Sequence, residues 1–214
     1  MPYSRCAIAL LLSFFTLGAS AEVKQSAADG FFVSFTEPVA ANPAKAYTDI
    51  TQVQRWWNSD HTWSGKAANL SLKAEAGGCL CERWSGGSAE HGHVVMALPG
   101  KLLRLETALG PLQEFALKGT LSFWIKSEDD GTTNVTVEYR VNGASASKLD
   151  ELAPSVDEVL GTQVARLKRY IGTGNPDEPP AKDAKKDESK DTPSSKPKLP
   201  DAKKKPKTAT PIKQ

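Results

Sequence analysis

The residues with the clearest chemical potential are two cysteines and two histidines in alternating positions. Cys79 and Cys81 flank one leucine, and His91 and His93 flank one glycine shortly after them. Side chains two residues apart on a strand share a face. A hairpin centred on the glycines at 86 and 87 places Cys81 opposite His93 and all four side chains on one side. Two thiolates and two imidazoles form a ligand set for zinc or copper, so one hypothesis is a metal site.

The same cysteines allow two other interpretations. They could form a Cys79–Cys81 disulfide or redox-active pair, or they could be inert and accompany surface histidines. Residues two apart on an extended strand lie about 6.6 Å from each other, near the upper limit for a disulfide. The three interpretations stay open at this point, and no cofactor is assured.

Aromatic side chains form a second candidate set. At the mouth of a cavity they would hold an apolar ligand, and the alternative is that they are core residues. We expect Trp124, which lies on a long strand, to be core. Gly161 on the last helix could mark a close approach of the sheet or a ligand. The candidate ligand-binding residues are Trp56, Trp57, Trp63, Trp84, Phe123 and Gly161.

Catalytic signatures are absent from the sequence. It contains no G-x-S-x-G, Walker, H-E-x-x-H or Rossmann glycine pattern. Candidate acid–base residues are His61, Glu82, Glu106 and Glu114, but nothing in the sequence pairs them, and the catalytic residues stay unknown.

The periodicity predicts an α+β domain whose elements must position these side chains. A first strand covers residues 31–35, and Asn42-Pro43 opens a short, broken helix that reaches Trp56-Trp57. Alternating positions then predict further strands near 70–74, 79–84, 91–98, 102–109, 115–125 and 132–141. A final helix opens at Pro154, and its apolar stripe from Leu152 to Ile171 would cover the sheet.

Composition divides the chain into three parts. Residues 1–21 combine Arg5, a short apolar run and Ala19-Ser20-Ala21, which predicts a cleaved signal peptide and export to the periplasm or outside the cell. Cleavage removes Cys6 and leaves no transmembrane span. Residues 22–174 form the domain. Residues 175–214 are rich in proline and lysine and predict a disordered tail. The basic end of this tail could contact an anionic envelope surface, with a solvating tail as the alternative.

The domain itself is acidic, although the whole chain has a formal charge of +2. Residues 22–174 contain 15 Lys or Arg and 18 Asp or Glu, for a net charge of −3. A nucleic-acid-binding domain is expected to carry a basic face, so nucleic acid is not a predicted partner.

The element order, together with several local motifs, resembles the SRPBCC or START-like superfamily, close to its polyketide-cyclase-like and heat-shock-ATPase-activator-like members. The motifs are Arg55-Trp56-Trp57, the Gly77-Gly78 turn, Pro99-Gly100, Gly131-Thr132 and the closing helix from Val156 to Lys168. The resemblance covers about residues 30–172. It implies a helix-grip fold with a curved antiparallel sheet of about six or seven strands around a long C-terminal helix, and an apolar cavity between them.

The resulting expectation is an exported, non-enzymatic protein that binds a hydrophobic small molecule or lipid in that cavity. One alternative is a polyketide cyclase or dehydrase-like enzyme, recognised by a buried carboxylate or histidine inside the cavity. Another is a metal-binding or thiol-redox protein acting through Cys79 and Cys81. The same resemblance would also suggest a co-chaperone role, but export would separate the protein from a cytosolic ATPase.

Overall fold

A computed structural model describes residues 22–178, which fold as an eight-stranded antiparallel sheet with three α-helices. The strand order is β1-β2-β8-β7-β6-β5-β4-β3. The strands are β1 (Glu22–Ala27), β2 (Gly30–Val39), β3 (Leu70–Leu72), β4 (Cys79–Trp84), β5 (Gly87–Leu98), β6 (Leu102–Thr107), β7 (Lys118–Ser127) and β8 (Thr133–Asn142). The helices are α1 (Pro43–Thr51), α2 (Val53–Trp56) and α3 (Leu149–Thr173). This arrangement confirms the predicted α+β helix-grip architecture, with one strand more than expected.

One face of the curved sheet carries the core. Alternate residues of β2, β7 and β8, including Val33, Leu121 and Tyr139, are buried in the same cluster as Leu160 and Leu167 of α3. The intervening residues project from the opposite side, which we call the outer face. The period-two pattern of the strands therefore decides which side chains can meet α3 and which face away from it.

The first helix begins as its sequence predicts. The side chain of Asn42 accepts a hydrogen bond from the Lys45 backbone N–H at 2.9 Å, and Pro43 occupies the first helical position. The helix breaks at Gln52 before α2 continues to Trp56. Together α1 and α2 carry the chain from β2 to the segment that holds Trp57, His61 and Trp63.

Helix α3 begins earlier than predicted. It starts at Leu149 and contains Pro154 in its second turn, so the expectation that Pro154 opens the helix is wrong. Leu149 and Ala153 are buried in the core, and the Leu149 N–H donates to the Ala28 carbonyl at 2.9 Å. Burial of these residues outweighs the one backbone hydrogen bond that the proline ring removes.

The turn between β4 and β5 sets a register different from the predicted one. Trp84 pairs with Gly87, so the two-residue turn is Ser85-Gly86, and Gly86 takes a positive φ of 94°. Gly87 must be glycine-sized because the Trp84 indole fills the space of a Cβ, which would lie 2.5 Å from the ring. The expected turn at Gly86-Gly87 is therefore wrong by one position.

A β-bulge further changes the pairing within this hairpin. Leu80 pairs with Gly92 and Cys81 pairs with Glu90, which leaves His91 as the extra residue of β5. Cys79 pairs with His93. The predicted opposition of Cys81 and His93 is consequently wrong.

The end of the described chain lies against α3. The Arg169 side chain donates to the Pro176 carbonyl at 2.7 Å, and Arg166 pairs with Asp177. The predicted signal peptide and residues 179–214 of the predicted tail lie outside the described residues. Within residues 22–178, no helix is long and apolar enough to cross a membrane.

Candidate functional site

A buried Glu82–His91 pair lies on the core side of the β4–β5 hairpin. Glu82 is 0% exposed, and its carboxylate accepts a hydrogen bond from His91 Nε2 at 3.0 Å. The backbone N–H groups of Trp63 and Ser64 donate to the same carboxylate at 3.1 and 2.6 Å. The bulge turns His91 inward to this position, although its neighbour His93 faces outward. This carboxylate therefore ties β4 and β5 to the segment after α2.

These contacts decide the charge of Glu82. Burial on its own would raise the pKa of Glu82, but hydrogen bonds from Ser64, His91 and Trp63 outweigh burial and lower the pKa. Glu82 is thus ionised at neutral pH and must accept hydrogen bonds. In neutral His91 the donor is then Nε2–H, and Nδ1 is left as an acceptor.

A second polar cluster joins α3 to the same segment. Gln163 is 1% exposed, and its Oε1 accepts from the Asn58 N–H at 2.8 Å. Its amide nitrogen donates to His61 Nδ1 at 2.8 Å, which leaves the proton of neutral His61 on Nε2. The Trp57 indole N–H donates to the His61 carbonyl at 3.0 Å. This cluster fixes His61 and Trp57 relative to α3.

Both clusters border a small enclosed cavity of about 30 Å³. Such a space is large enough for an ordered water, which needs roughly 10–15 Å³. It is far below the roughly 300 Å³ at which small-molecule sites begin. As folded here, this cavity is too small for the expected lipid or hydrophobic ligand. The cavity is lined by Val53, Trp57, His61, Leu70, Leu80, His91, Leu109 and Gly110.

A larger space lies at the start of α3. This α3 groove has a volume of about 550 Å³ and is open to solvent. It lies between the loop before β7, which includes a 3₁₀ turn at Gly110–Phe115, and the chain that enters α3. The turn borders both spaces, since Gly110 lines the cavity and Phe115 lines the groove. The groove is lined by Glu114, Phe115, Ala116, Ala146, Ser147, Lys148, Glu151 and Leu152.

The predicted aromatic residues occupy different environments. Trp56 and Phe123 are core residues whose ring centroids lie 6.4 Å apart. Of the predicted set, Trp57 lines the enclosed cavity, whereas Trp63 is 47% exposed. Trp84 packs over Gly87 in the hairpin turn. Gly161 lies half-buried on α3 and does not line the groove.

Trp124 is an outer-face residue, and the expectation that it belongs to the core is wrong. It is 40% exposed, and its indole N–H donates to the Glu138 carboxylate at 2.9 Å. The Arg104 guanidinium lies 5.0 Å from the centre of its ring. Its neighbours Phe123 and Ile125 face the core, so strand alternation turns Trp124 outward.

The candidate metal ligands are separated by the fold. Cys79 and Cys81 are joined in a disulfide. His91 turns inward to Glu82, while His93 is half-exposed with Nδ1 3.4 Å from the Glu90 carboxylate. Within residues 22–178, no group of three or more His, Cys, Asp or Glu side chains could hold a metal ion. Of the three interpretations left open, the structure contains the disulfide.

Two of the acid–base candidates have no buried partner. Glu106 lies on the outer face and pairs with exposed Lys118 at 3.2 Å, and Glu114 is exposed in the α3 groove.

Sequence reasoning gave no role to Gln163 or Asn58. The sequence does contain one signal for Gln163: it is a polar residue inside the apolar stripe of α3, next to Val164.

No family model and no curated protein matches this chain. Among solved structures, it is similar to the Enterococcus faecalis protein EF2215, of unknown function, at 13% identity and a TM-score of 0.48, covering 76% of this chain and 81% of that one. CalU16 from Micromonospora echinospora is 13% identical with a TM-score of 0.47, covering 72% of this chain and 79% of that one. DynU16, from the dynemicin biosynthetic locus, is 19% identical with a TM-score of 0.45, covering 68% of this chain and 48% of that one. At such identities and TM-scores the fold class is assigned from the strands and helices of this chain itself.

Proposed function

We propose that this chain is an exported START-like protein that binds a hydrophobic small molecule or lipid in the α3 groove. The observation that carries the proposal is the volume of the groove. About 550 Å³ lies within the roughly 300–1,000 Å³ typical of small-molecule sites, unlike the enclosed cavity. The proposal therefore moves the ligand from the space beneath α3 to the start of that helix.

The lining of the groove suits a ligand with an apolar body and one polar group. Phe115 is 36% exposed and Leu152 is half-buried, so both offer apolar surface. Lys148 and Glu151 form an exposed ion pair at 3.0 Å on the same wall. Glu114 adds a second carboxylate, so the wall favours a neutral polar group over an anionic one.

The backbone of the groove supports a binding role. Ala116 and Lys148 have φ values of 50° and 49°, and they are the two non-glycine residues with positive φ within residues 22–178. Such conformations cost on the order of 1 kcal/mol and concentrate at functional sites. Both residues line the groove.

Titration with Nile red, a neutral apolar dye, tests this proposal. We expect saturable fluorescence enhancement by the native protein, and Phe115→Arg should weaken dye binding by about tenfold or more. Leu98→Arg is the matched control, because Leu98 is also an exposed apolar residue, at 48% against 36% for Phe115, but lies on β5, away from the groove. Equal loss in both variants, or no loss in Phe115→Arg, would contradict binding in the groove.

A second candidate function is acid–base catalysis, which one observation favours. His91 lines the enclosed cavity and is paired with a fully buried carboxylate, the feature expected of a cyclase or dehydrase-like enzyme. Hydrolysis of p-nitrophenyl acetate serves as a probe reaction, and since a cavity of about 30 Å³ admits water but not the ester, turnover requires the cavity around His91 to open. Catalysis at this pair predicts loss of turnover in His91→Gln and retention in His93→Gln, whereas a native rate equal to the buffer rate removes the candidate.

A further inference from the structure

The Cys79–Cys81 disulfide lies on the outer face of β4, the strand next to the edge strand β3. Its Cα atoms are 5.4 Å apart, and the bridge spans a single residue. Leu80 between them points into the core, so both cysteines project from the opposite side of β4. Cys79 is half-buried and Cys81 is 7% exposed, which makes Cys79 the more accessible sulfur.

This bridge does little for the stability of the fold. A disulfide stabilises mainly by restricting the unfolded chain, and the effect grows with the length of the loop it closes. Here the loop contains one residue, and both ends belong to the same strand. The bridge joins no separate elements, and the sheet does not need it for pairing. Its placement therefore calls for a chemical explanation.

Charged side chains surround the bridge on the outer face. The cross-strand partner of Cys79 is His93 and that of Cys81 is Glu90, and these two partners contact each other. An adjacent imidazolium favours the thiolate form of a cysteine. The other charged residues near the pair are Lys73 and Glu75 after β3, Arg83 on β4, and Glu106, which opposes His93 from β6.

We propose that Cys79 and Cys81 form a redox-active couple that exchanges with small-molecule thiols on the outer face. A thiolate of the small molecule attacks Sγ of Cys79 and forms a mixed disulfide. The bond between the two cysteines breaks, and its electron pair leaves on Cys81, which takes up a proton. A second thiolate attacks the small-molecule sulfur of the mixed disulfide and forms a small-molecule disulfide, while the bond to Cys79 breaks and its electron pair leaves on Cys79, which takes up a proton. Two thiols are thus oxidised while the protein disulfide is reduced to two thiols.

Glutathione reacting with the folded, oxidised protein in a Cys6→Ser background, in which Cys79 and Cys81 are the two remaining cysteines, tests this couple. We expect the bridge to open without denaturant, as measured by the mass added on maleimide labelling of the new thiols. Resistance of the folded protein to glutathione, with reduction only after unfolding in urea, would overturn the proposal.

Single-cysteine variants, made in the same Cys6→Ser background, test the order of attack. Cys81→Ser leaves the accessible Cys79, which should form a stable mixed disulfide with oxidised glutathione. Cys79→Ser leaves the buried Cys81, which should react at least about tenfold more slowly than Cys79. Equal rates would contradict attack at Cys79.

His93 is tested in the Cys81→Ser background. We expect His93→Gln to slow the alkylation of Cys79 by iodoacetamide several-fold, whereas Lys118→Gln, which alters a neighbouring outer-face charge, should leave the rate unchanged. An unchanged rate in His93→Gln would exclude His93 from the couple.

Discussion

The Nε2 atom of His91 lies 3.0 Å from the carboxylate of Glu82, and the same carboxylate binds the backbone of Trp63 and Ser64. One fully buried side chain thus connects two strands and the segment that closes the cavity. Because its acceptor oxygens are shared among three donors, Glu82 is expected to matter for stability whatever the protein binds.

Replacing Glu82 with glutamine should destabilise the fold by about 2–3 kcal/mol at pH 7. The change removes charge-assisted hydrogen bonds and turns an N–H₂ group toward a donor. Urea unfolding followed by circular dichroism measures the loss. Glu75→Gln is the control, since Glu75 is exposed and pairs only with Lys73 at the surface, so it should cost less than about 0.5 kcal/mol. Similar losses in both variants would contradict a special role for Glu82.

The same carboxylate predicts a loss of stability in acid. The folded pKa of Glu82 is lowered from its ordinary value of 4.5, so its stabilising contribution is fully present above 4.5 and is lost as pH falls through the lower folded value. Glu82→Gln lacks this contribution at every pH. The stability gap between the native protein and the variant should therefore narrow as the pH falls below 4.5, as urea titrations across that range can measure.

Truncation should destabilise the fold far more at Trp56 than at Trp124. Trp56 is 2% exposed, and its indole N–H donates to the Asp49 carbonyl at 3.1 Å. Trp56→Ala should cost about 3–5 kcal/mol, the range for large core aromatics. Trp124→Ala should cost less than about 1 kcal/mol, because the residue lies on the outer face. Thermal or urea unfolding of the two variants compares these costs, and a larger cost for Trp124 would contradict the orientation of β7.

Asp157 on α3 should be a position where neutralisation stabilises the protein. Burial raises the pKa of Asp157, and within the described residues its Oδ1 is buried without a hydrogen-bond partner. Asp157→Asn should raise stability at pH 7 by less than about 1 kcal/mol, because the side chain is only half-buried. The gain should disappear as pH falls through the raised pKa, since the native side chain is then neutral as well. Glu158→Gln, an exposed neighbour, should change nothing measurable.

Export predicts a defined mature N-terminus at Glu22, the residue at which β1 begins. Intact mass spectrometry of protein recovered from the periplasm or medium of a bacterial host should give a chain without residues 1–21. Ala21→Arg, which disrupts the predicted cleavage position, should leave the precursor uncleaved. A native chain that keeps residues 1–21 would contradict the signal-peptide prediction.

Much of the fold follows from local patterns in the sequence. Asn42-Pro43 marks the start of α1 because capping and the proline φ act within one turn. The apolar stripe marks α3 because it repeats along a long segment. Strand β1 was missed because it is short, polar and at the edge of the sheet, where only half-buried Val23 reports on packing.

The site was harder to predict because it depends on single-residue details of pairing. His91 and His93 alternate like side chains on one face, and only the bulge separates them. That bulge belongs to the pairing of β5 with β4, which no pattern within β5 alone encodes. The volume of a cavity likewise depends on how the Trp57–Trp63 segment packs onto β4, so aromatic content alone does not give the size of the space beneath α3.

Because of the extra residue in β5, His91 and His93 lie on opposite faces of the sheet. On the core side His91 is buried beside the Glu82 carboxylate, and on the outer face the half-exposed His93 lies opposite Cys79 of the disulfide. Deleting one residue at the bulge would give β4 and β5 regular pairing and remove the position from which His91 turns inward. The inner and outer chemistry of this small domain is therefore kept apart by one inserted amino acid.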